Sequence, residues 1–267
     1  MTTEADIGTV IYEVRDSVAL LTLNRPDRRN ALGGTLREDI VRAMNRASTD
    51  DAVRAVILSG RGAAFCAGGD LKEMTERFTS DGGVPLLDRV APKRDRVVLS
   101  ILESPKPVIA AVNGAALGAG MNLALAADIR IASTQAQFAQ TFVKRGNVPD
   151  YGGTYLLPRI VGVSKALDLI YTGRTIDAQE ALKLEIVGAV ESADDLLPAA
   201  FALAREIAAN APVAVQLSKQ IVYRNLGSIR EALDRETAAQ NICFDTEDNK
   251  EGFRAFLEKR SPVFRGR

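Results

Sequence analysis

The sequence has no histidine and no tryptophan, and its 267 residues include only two cysteines, Cys66 and Cys243. Without histidine the chain cannot build a Ser-His-Asp or Cys-His nucleophile system, nor most zinc and iron sites. Two cysteines are too few for a disulfide framework or a cysteine-bound metal cluster. We therefore expect no metal site, and any acid–base chemistry must come from carboxylates, lysine, tyrosine or cysteine.

An excess of charge is absent too, because 34 Lys and Arg residues balance 34 Asp and Glu residues. A nucleic-acid-binding protein needs a basic excess, so we expect no nucleic-acid partner. The longest weakly polar stretch, residues 107–127, is rich in Ala and Gly rather than in the Leu, Ile and Phe of a membrane span. The N-terminus is polar and unlike a secretory signal, and with few cysteines this predicts a cytoplasmic protein without a membrane partner.

Apolar periodicity predicts an α/β fold in which strands and helices alternate up to about residue 193. Runs at Thr9–Val14 and Ser17–Leu23 predict a β-hairpin, and Thr35 with Glu38 predicts a capping box at the start of a helix. Further apolar runs predict buried strands at Val53–Leu58, Pro107–Val112 and Ile129–Ala132, and a strand at Gln137–Ala139.

In the last third of the chain, the apolar periodicity predicts helices and no strands. The predicted helices are Leu196–Ala209, Pro212–Asn225 and Ser228–Phe244. We therefore divide the chain into a core over residues 1–195 and a helical region over residues 196–267. The helical region carries more apolar residues, Leu196, Leu197 and Phe201 among them, than one small layer can bury, which predicts association with further copies.

Two glycine-rich turns follow two of the predicted buried strands. The first reads Phe65-Cys66-Ala67-Gly68-Gly69-Asp70-Leu71 and the second reads Asn113-Gly114-Ala115-Ala116-Leu117-Gly118-Ala119-Gly120. Neither matches a dinucleotide fingerprint, and no Gly-Lys pair exists for a phosphate loop. Such turns can serve tight strand-to-helix packing alone. Alternatively, they bring backbone N–H groups at helix N-termini together as an oxyanion hole, which needs no titratable side chain.

Several ordered motifs along almost the whole chain resemble the crotonase superfamily, the enoyl-CoA hydratase/isomerase family. Besides the two turns they are Asn24-Arg25-Pro26, Asn30-Ala31-Leu32, Pro105–Gly114, Pro149-Asp150-Tyr151-Gly152-Gly153-Thr154 and Phe256-Leu257-Glu258-Lys259-Arg260. The resemblance implies a right-handed spiral of ββα turns with a helical C-terminal part that forms trimers, or hexamers of two trimers. It also implies an acyl-CoA thioester substrate and no further cofactor, because CoA is part of the substrate.

The resemblance also implies which residues meet the ligand. The thioester oxygen would be held by the backbone N–H groups of Gly69 and Ala119; the second position is usually glycine, and alanine is tolerated unless positive φ is needed. The other residues expected at the substrate or its CoA part are Arg25, Ala67, Asp70, Leu71, Lys72, Asn122 and Phe142. An exposed surface charge is the alternative for Lys72. Lys259 matches a position that can reach the CoA phosphate of a neighbouring subunit.

Two positions depart from the hydratase pattern. Hydratases that resemble this chain have glutamates where this sequence has Asn122 and Phe142. Neither residue can act as a general base near neutral pH, so the paired carboxylates that add water are missing. One carboxylate remains: Asp150 stands where superfamily isomerases that shift double bonds place a catalytic acid. Residues 148–159 look most like the epoxyphenylacetyl-CoA isomerase branch. A plain turn residue or helix cap is the alternative for Asp150.

We therefore expect an enoyl-CoA isomerase. Asp150, partly desolvated beside Phe142 and with a raised pKa, would take a proton from carbon 2 of a 3-enoyl-CoA and return it at carbon 4. Asn122 would be a polar spectator, or would orient a water molecule or Asp150. Two alternatives stay open: an enoyl-CoA hydratase, and a catalytically silent relative that only binds acyl-CoA.

Overall fold

The structure is a computed structural model and describes residues 3–70, 72–73, 93–145, 147–224, 246–248, 251, 255, 258, 260 and 262–267. Its strands are β1 (Thr3–Ile7), β2 (Val10–Arg15), β3 (Val18–Leu23), β4 (Ala55–Gly60), β5 (Ala64–Cys66), β6 (Val108–Val112), β7 (Ala115–Leu117), β8 (Ile129–Ser133), β9 (Gln137–Ala139), β10 (Thr175–Asp177) and β11 (Ala189–Glu191). Its helices are α1 (Leu36–Thr49), α2 (Lys93–Leu102), α3 (Ala119–Leu125), α4 (Gly153–Val161), α5 (Val163–Thr172), α6 (Ala178–Lys183), α7 (Leu196–Ala208) and α8 (Pro212–Arg224). Short 3-10 helices lie at Pro26–Arg28 and Val143–Arg145.

The strands form a larger and a smaller sheet. The larger sheet has the order β1-β2-β3-β4-β6-β8-β11 and is antiparallel from β1 to β3 and parallel from β3 onward. The smaller sheet has the order β10-β9-β7-β5, with β5, β7 and β9 parallel and β10 antiparallel to β9. The chain alternates between them: β4, β6 and β8 belong to the larger sheet, and the strands that follow each of them belong to the smaller.

This alternation builds successive coils, β4–β5–α2 and then β6–β7–α3, which is the ββα spiral expected from the sequence. Parallel crossovers of this kind are right-handed in almost all proteins. Because equivalent strands of consecutive coils pair side by side, the turns that follow β5 and β7 leave the smaller sheet next to each other. That neighbourhood positions the candidate site.

Apolar side chains of the larger sheet are buried on both faces. In β3, Ala19, Leu21 and Leu23 face the main core, whereas Val18 and Leu20 face the opposite side. The main core holds α1 and the smaller sheet. The opposite side is covered by α7, where Leu196 and Phe201 are 2% and 1% exposed. Parallel strands covered on both faces read as continuous apolar runs, which explains the runs in the sequence.

Most of the predicted elements are found, with two differences. The hairpin is confirmed as β2 and β3, but the capping box is wrong: Thr35 is the N-cap of α1, yet its hydroxyl donates to the Asp39 carboxylate at 2.8 Å instead of capping the helix. The strands β1, β5, β7, β10 and β11 were missed, and four of these five have only three residues, which show little periodicity.

The first helix of the predicted C-terminal region, α7, packs on the core of its own chain. Leu196 and Phe201 are buried against the larger sheet of their own chain, so they offer no apolar surface to further copies, whereas Leu197 is 36% exposed. The first helix of the region is thus part of the main fold. The predicted helix Ser228–Phe244 lies outside the described residues, as do Leu71, Cys243 and Lys259.

Candidate active site

The first glycine-rich turn begins where β5 ends. Gly68 has a φ of 90°, and a Cβ added to it would lie 2.5 Å from the carbonyl oxygen of Leu117, so only glycine fits there. The N–H of Leu32 donates to the Gly68 carbonyl at 2.7 Å, and Leu32 pairs with Gly69 in an isolated parallel bridge. The segment around Leu32 therefore fixes the direction of the peptide units on either side of Gly69.

The second turn leads from β7 into α3. Gly118 is the N-cap of α3, with φ 53° and ψ −121°, and its N–H donates to the Ala139 carbonyl at 2.7 Å. Ala119 is the first residue of the helix, so its backbone is helical and does not need the freedom of glycine. The N–H of a first helical residue has no partner within its own helix. Alanine therefore keeps the donor that the family pattern places at this position.

The two turns are in direct contact. A Cβ on Gly68 would lie 3.5 Å from the Ala119 nitrogen, and a Cβ on Gly120 would lie 1.9 Å from the Cys66 carbonyl oxygen. Outside the regular helices and strands, no backbone hydrogen bond among the described residues uses the N–H of Gly69 or of Ala119. An oxyanion hole needs two donors that converge on one oxygen, and the assignment of Gly69 and Ala119 to that role stays a prediction.

Asp150 opens a tight turn that precedes α4. The Gly153 N–H donates to the Asp150 carbonyl at 3.0 Å, and the central residues Tyr151 and Gly152 both have positive φ, 49° and 75°. That combination is typical of a type I′ turn. The Asp150 residue is half-buried, and its Oδ1 atom is removed from solvent. Asp150 is therefore a turn residue, as the alternative interpretation predicts. The turn uses its backbone carbonyl, so this position is compatible with a chemical role for the carboxylate.

The side chain of Asn122, in α3, is hydrogen-bonded to this turn. The residue is 0% exposed; its Nδ2 donates to the Asp150 carbonyl at 2.7 Å, and its Oδ1 accepts from Gln140 Nε2 at 2.7 Å. A Cβ on Gly153 would lie 2.3 Å from Asn122 Nδ2, so the helix that follows must begin with glycine. Both polar atoms of Asn122 are occupied by protein groups. The expected contact of Asn122 with the substrate stays a prediction, because each of its polar atoms can form one further hydrogen bond.

Phe142 lies at the second turn. Its ring atoms Cζ and Cε2 are 3.6 and 3.7 Å from the position of a Cβ on Gly118, and the ring is half-buried against the main core. The position that carries a glutamate in the hydratase pattern is therefore apolar and adjacent to the residue that precedes Ala119. An apolar neighbour lowers the local polarity, which strengthens hydrogen bonds to a developing negative charge.

The residues expected along the CoA path form a group around the first turn. Arg25 donates to the Ala31 carbonyl at 2.7 Å and pairs with Asp70 at 3.2 Å. Asp70 also accepts from the N–H groups of Lys72 and Glu73, so its carboxylate stabilises this local arrangement. Lys72 is exposed and Ala67 is half-buried. Their contacts with a ligand stay predictions.

Burial changes the acidity of two groups near the turns. Burial raises the pKa of the Cys66 thiol to about 12, so this group stays neutral and is a packing element rather than a nucleophile. Burial also raises the pKa of Tyr151, an effect that the positive charge of Arg37 opposes and the negative charge of Asp150 reinforces. The Tyr151 hydroxyl therefore stays protonated near neutral pH.

The described residues contain no cluster of three or more His, Cys, Asp or Glu side chains arranged to hold a metal ion. None of their helices has both the length and the apolar character needed to cross a bilayer.

Comparison with known proteins supports the resemblance noted in the sequence. Residues 13–267 match the family model described as enoyl-CoA hydratase/isomerase. The chain belongs to this family. It is 42% identical to a short-chain-enoyl-CoA hydratase of Clostridium acetobutylicum over 258 residues, which cover 96% of this chain and 97% of that protein. The predicted membership of the enoyl-CoA hydratase/isomerase family is therefore confirmed.

Further relatives span both activities in the family name. The chain is 35% identical to a trans-2-decenoyl-(acyl-carrier-protein) isomerase of Streptococcus mutans, over 98% of this chain and 100% of the relative. The crystal structure of an enoyl-CoA hydratase from Bacillus anthracis superposes with a TM-score of 0.89 at 36% identity, covering 100% of this chain and 99% of the other. The predicted α/β crotonase fold is thus confirmed, and the chain is an acyl-CoA enzyme of the enoyl-CoA hydratase/isomerase family. The epoxyphenylacetyl-CoA isomerase branch stays a prediction.

The sequence did not reveal the residues whose side chains form hydrogen bonds at the Asp150 turn or with Asn122, which are Gln140, Arg37 and Tyr151. The sequence predicts no role for Gln140, Arg37 or Tyr151. Gln140 and Arg37 lie outside the motifs that carry the resemblance, and within its motif Tyr151 stands beside Asp150, to which the chemical role is assigned. A buried polar pair such as Gln140 with Asn122 gives no local sequence signal, because its partners come together only in the folded chain.

Proposed function

We propose that the protein shifts the double bond of a 3-enoyl-CoA into conjugation with the thioester, and that Asp150 carries the proton. The observation that carries this proposal is the position of Asp150. It stands on a turn fixed to Asn122 of α3, the helix that begins with the proposed donor Ala119. Two carboxylates at the first turn, Asp70 and Glu73, interact with Arg25 and with backbone N–H groups.

The reaction needs one base and one oxyanion site. The thioester oxygen would accept hydrogen bonds from the N–H groups of Gly69 and Ala119, which makes the hydrogens on carbon 2 acidic. The Asp150 carboxylate removes one of them; the C2–H electron pair forms the C1=C2 bond of a dienolate, and the C1=O π electrons move to the thioester oxygen. When the oxygen re-forms the C1=O bond, the C1=C2 electrons move to C2=C3 and the C3=C4 electrons become available at carbon 4. Asp150 then returns the proton to carbon 4. Atoms and electrons balance without water or a second acid.

The test compares the purified protein with its Asp150→Asn variant on a 3-enoyl-CoA, monitored by the absorbance of the conjugated thioester. We expect the variant to lose about 10²–10⁴-fold in kcat, which is the usual contribution of a positioned acid or base. Asp168→Asn is the matched control, because Asp168 is half-exposed and pairs with Arg174 on the surface. An Asp150→Asn variant with full isomerase activity and an intact fold would refute the assignment.

Hydration of a 2-enoyl-CoA is the second candidate, favoured by the name of the Clostridium acetobutylicum relative. In this chain the positions of the expected glutamates hold a phenyl ring and an amide that is already bonded to protein groups. Hydration would therefore require Asp150 to activate water alone, or a further carboxylate that has not been assigned to the site. Incubation with a 2-enoyl-CoA separates the candidates: formation of a 3-hydroxyacyl-CoA supports hydration, and tight CoA binding without turnover of either substrate supports a silent binder.

We also propose that the protein works as a trimer, or as a hexamer of two trimers, in which Lys259 reaches the CoA phosphate of a neighbouring subunit. Support comes from the family resemblance alone. Light scattering measures the assembly, and Lys259→Ala should raise KM for the CoA thioester if the contact exists. A monomer would contradict both parts of this proposal.

A further inference from the structure

Tyr151 has a backbone conformation that a bulky residue rarely adopts. Its φ is 49°, in the left-handed region that favours glycine, and the residue is only 6% exposed. Aromatic residues at positive φ are genuine outliers that persist only where the surroundings hold them, and they cluster at functional sites. Glycine would form the same turn without strain, and asparagine with little strain, so turn formation alone does not explain a tyrosine there.

A hydrogen-bond chain connects the Tyr151 side chain to the first glycine-rich turn. The hydroxyl oxygen accepts from Nε of Arg37, which lies 114 residues earlier in α1, at 3.0 Å. The same guanidinium donates through Nη2 to the Leu32 carbonyl. Leu32 in turn donates its N–H to Gly68 and pairs with Gly69. The hydroxyl is thus linked to the peptide that carries the first proposed oxyanion donor.

The neighbouring residue, Asp150, is connected to the second turn. Its carbonyl accepts from Asn122, three residues after Ala119 in α3. The Asp150–Tyr151 pair is therefore held on one side by α3 and on the other by Arg37. Because Asp150 and Tyr151 are consecutive in a tight turn, the rotation of the Tyr151 backbone sets the direction in which the Asp150 side chain leaves the turn.

We propose that Arg37 and Tyr151 form a positioning pair that fixes the Asp150 carboxylate relative to the amides of Gly69 and Ala119. This inference rests on the proposed function, because it requires Asp150 to be the proton carrier. Without the hydroxyl anchor, the turn is free to relax toward negative φ and to turn the carboxylate away from carbon 2. A displacement of about 1 Å at a reacting group can cost about 10²-fold in rate.

The main test is Tyr151→Phe, which removes only the hydroxyl oxygen. We expect kcat for the 3-enoyl-CoA to fall by about 10-fold to 10²-fold while KM changes less than about 2-fold, because the pair acts on the carboxylate and not on CoA binding. Tyr155→Phe is the matched control: it lies in α4, is 44% exposed, and its ring stacks on Arg159. We expect it to leave both constants unchanged.

Further variants separate positioning from general support of the fold. Arg37→Met should lower kcat as Tyr151→Phe does, and the double variant should lose no more than the worse single variant, because the two residues act as a unit. Tyr151→Gly relieves the backbone strain but lacks the anchor, and it too should lose kcat. If Arg37→Met does not fold, the two Tyr151 variants still decide the question.

Full kcat in Tyr151→Phe, or in Tyr151→Gly, would overturn the inference. The inference would also fail if the losses of kcat in Arg37→Met and Tyr151→Phe multiplied in the double variant. It would fail, too, if these variants lowered the melting temperature and left kcat unchanged. The outcome is distinguishable from failure of the proposed function. If Asp150→Asn is inactive and Tyr151→Phe is fully active, only the positioning pair is refuted, whereas an active Asp150→Asn refutes the proposed function itself.

Discussion

Replacing Ala119 by proline tests the oxyanion site without touching any side-chain chemistry. Proline has no N–H, so Ala119→Pro deletes one of the two proposed donors. The structure indicates that the fold tolerates this change, because Ala119 is the first residue of α3 and its N–H has no partner within the helix. The preceding residue is Gly118, whose ψ of −121° lies outside the α region that proline disfavours before it.

The expected magnitude follows from the loss of one donor. Removing a single oxyanion hydrogen bond typically lowers kcat by about 10²–10³-fold, or about 2.7–4 kcal/mol of transition-state stabilisation. Because the bond strengthens only as the oxygen becomes negative, kcat and kcat/KM should fall equally. Ala119→Gly retains the N–H and should keep activity close to that of the parent.

The assay is isomerisation of a 3-enoyl-CoA, with circular dichroism and thermal unfolding as measures of the fold. Ala178→Pro is the matched control, since Ala178 is the first residue of α6 and follows Asp177, whose backbone is extended, with φ −84° and ψ 177°. A folded Ala119→Pro variant whose kcat lies within about 3-fold of the parent would refute the role of the Ala119 amide.

Two further predictions concern buried groups. Burial raises the pKa of Cys66 to about 12, so peptide mass spectrometry should find this thiol unalkylated in the native protein at pH 8. The free energy of unfolding should also fall as pH rises from about 9, because the thiol ionises more readily in the unfolded chain. This fall should be smaller in Cys66→Ala, which has no thiol. Rapid native alkylation would contradict this. Burial itself raises the pKa of Asp39, but hydrogen bonds from Thr9, Arg42 and Thr35 lower it overall, so Asp39→Ala should destabilise by about 1–3 kcal/mol in urea at pH 7. That difference should shrink as pH falls below about 4, and an equal effect in Asp168→Ala would contradict the reasoning.

The sequence by itself determined which chemistry is open to this protein. The absence of histidine removed the common nucleophile systems, and the two glycine-rich turns pointed to backbone donors, because glycine lets the main chain approach a ligand closely. The apolar runs of β3, β4 and β6 were recognisable because strands buried on both faces leave a continuous signal. These features are local, so the order of residues along the chain is enough to reveal them.

Only the tertiary structure decided which groups meet. The two turns are adjacent because β5 and β7 pair in the smaller sheet, and neither of these three-residue strands was recognised from the sequence. Asn122 reaches Asp150 across 28 residues, and Arg37 reaches Tyr151 across 114. Such partnerships depend on how distant elements pack and on where each side chain points after packing. A residue's type states what bonds it can form, and the fold alone selects the partner.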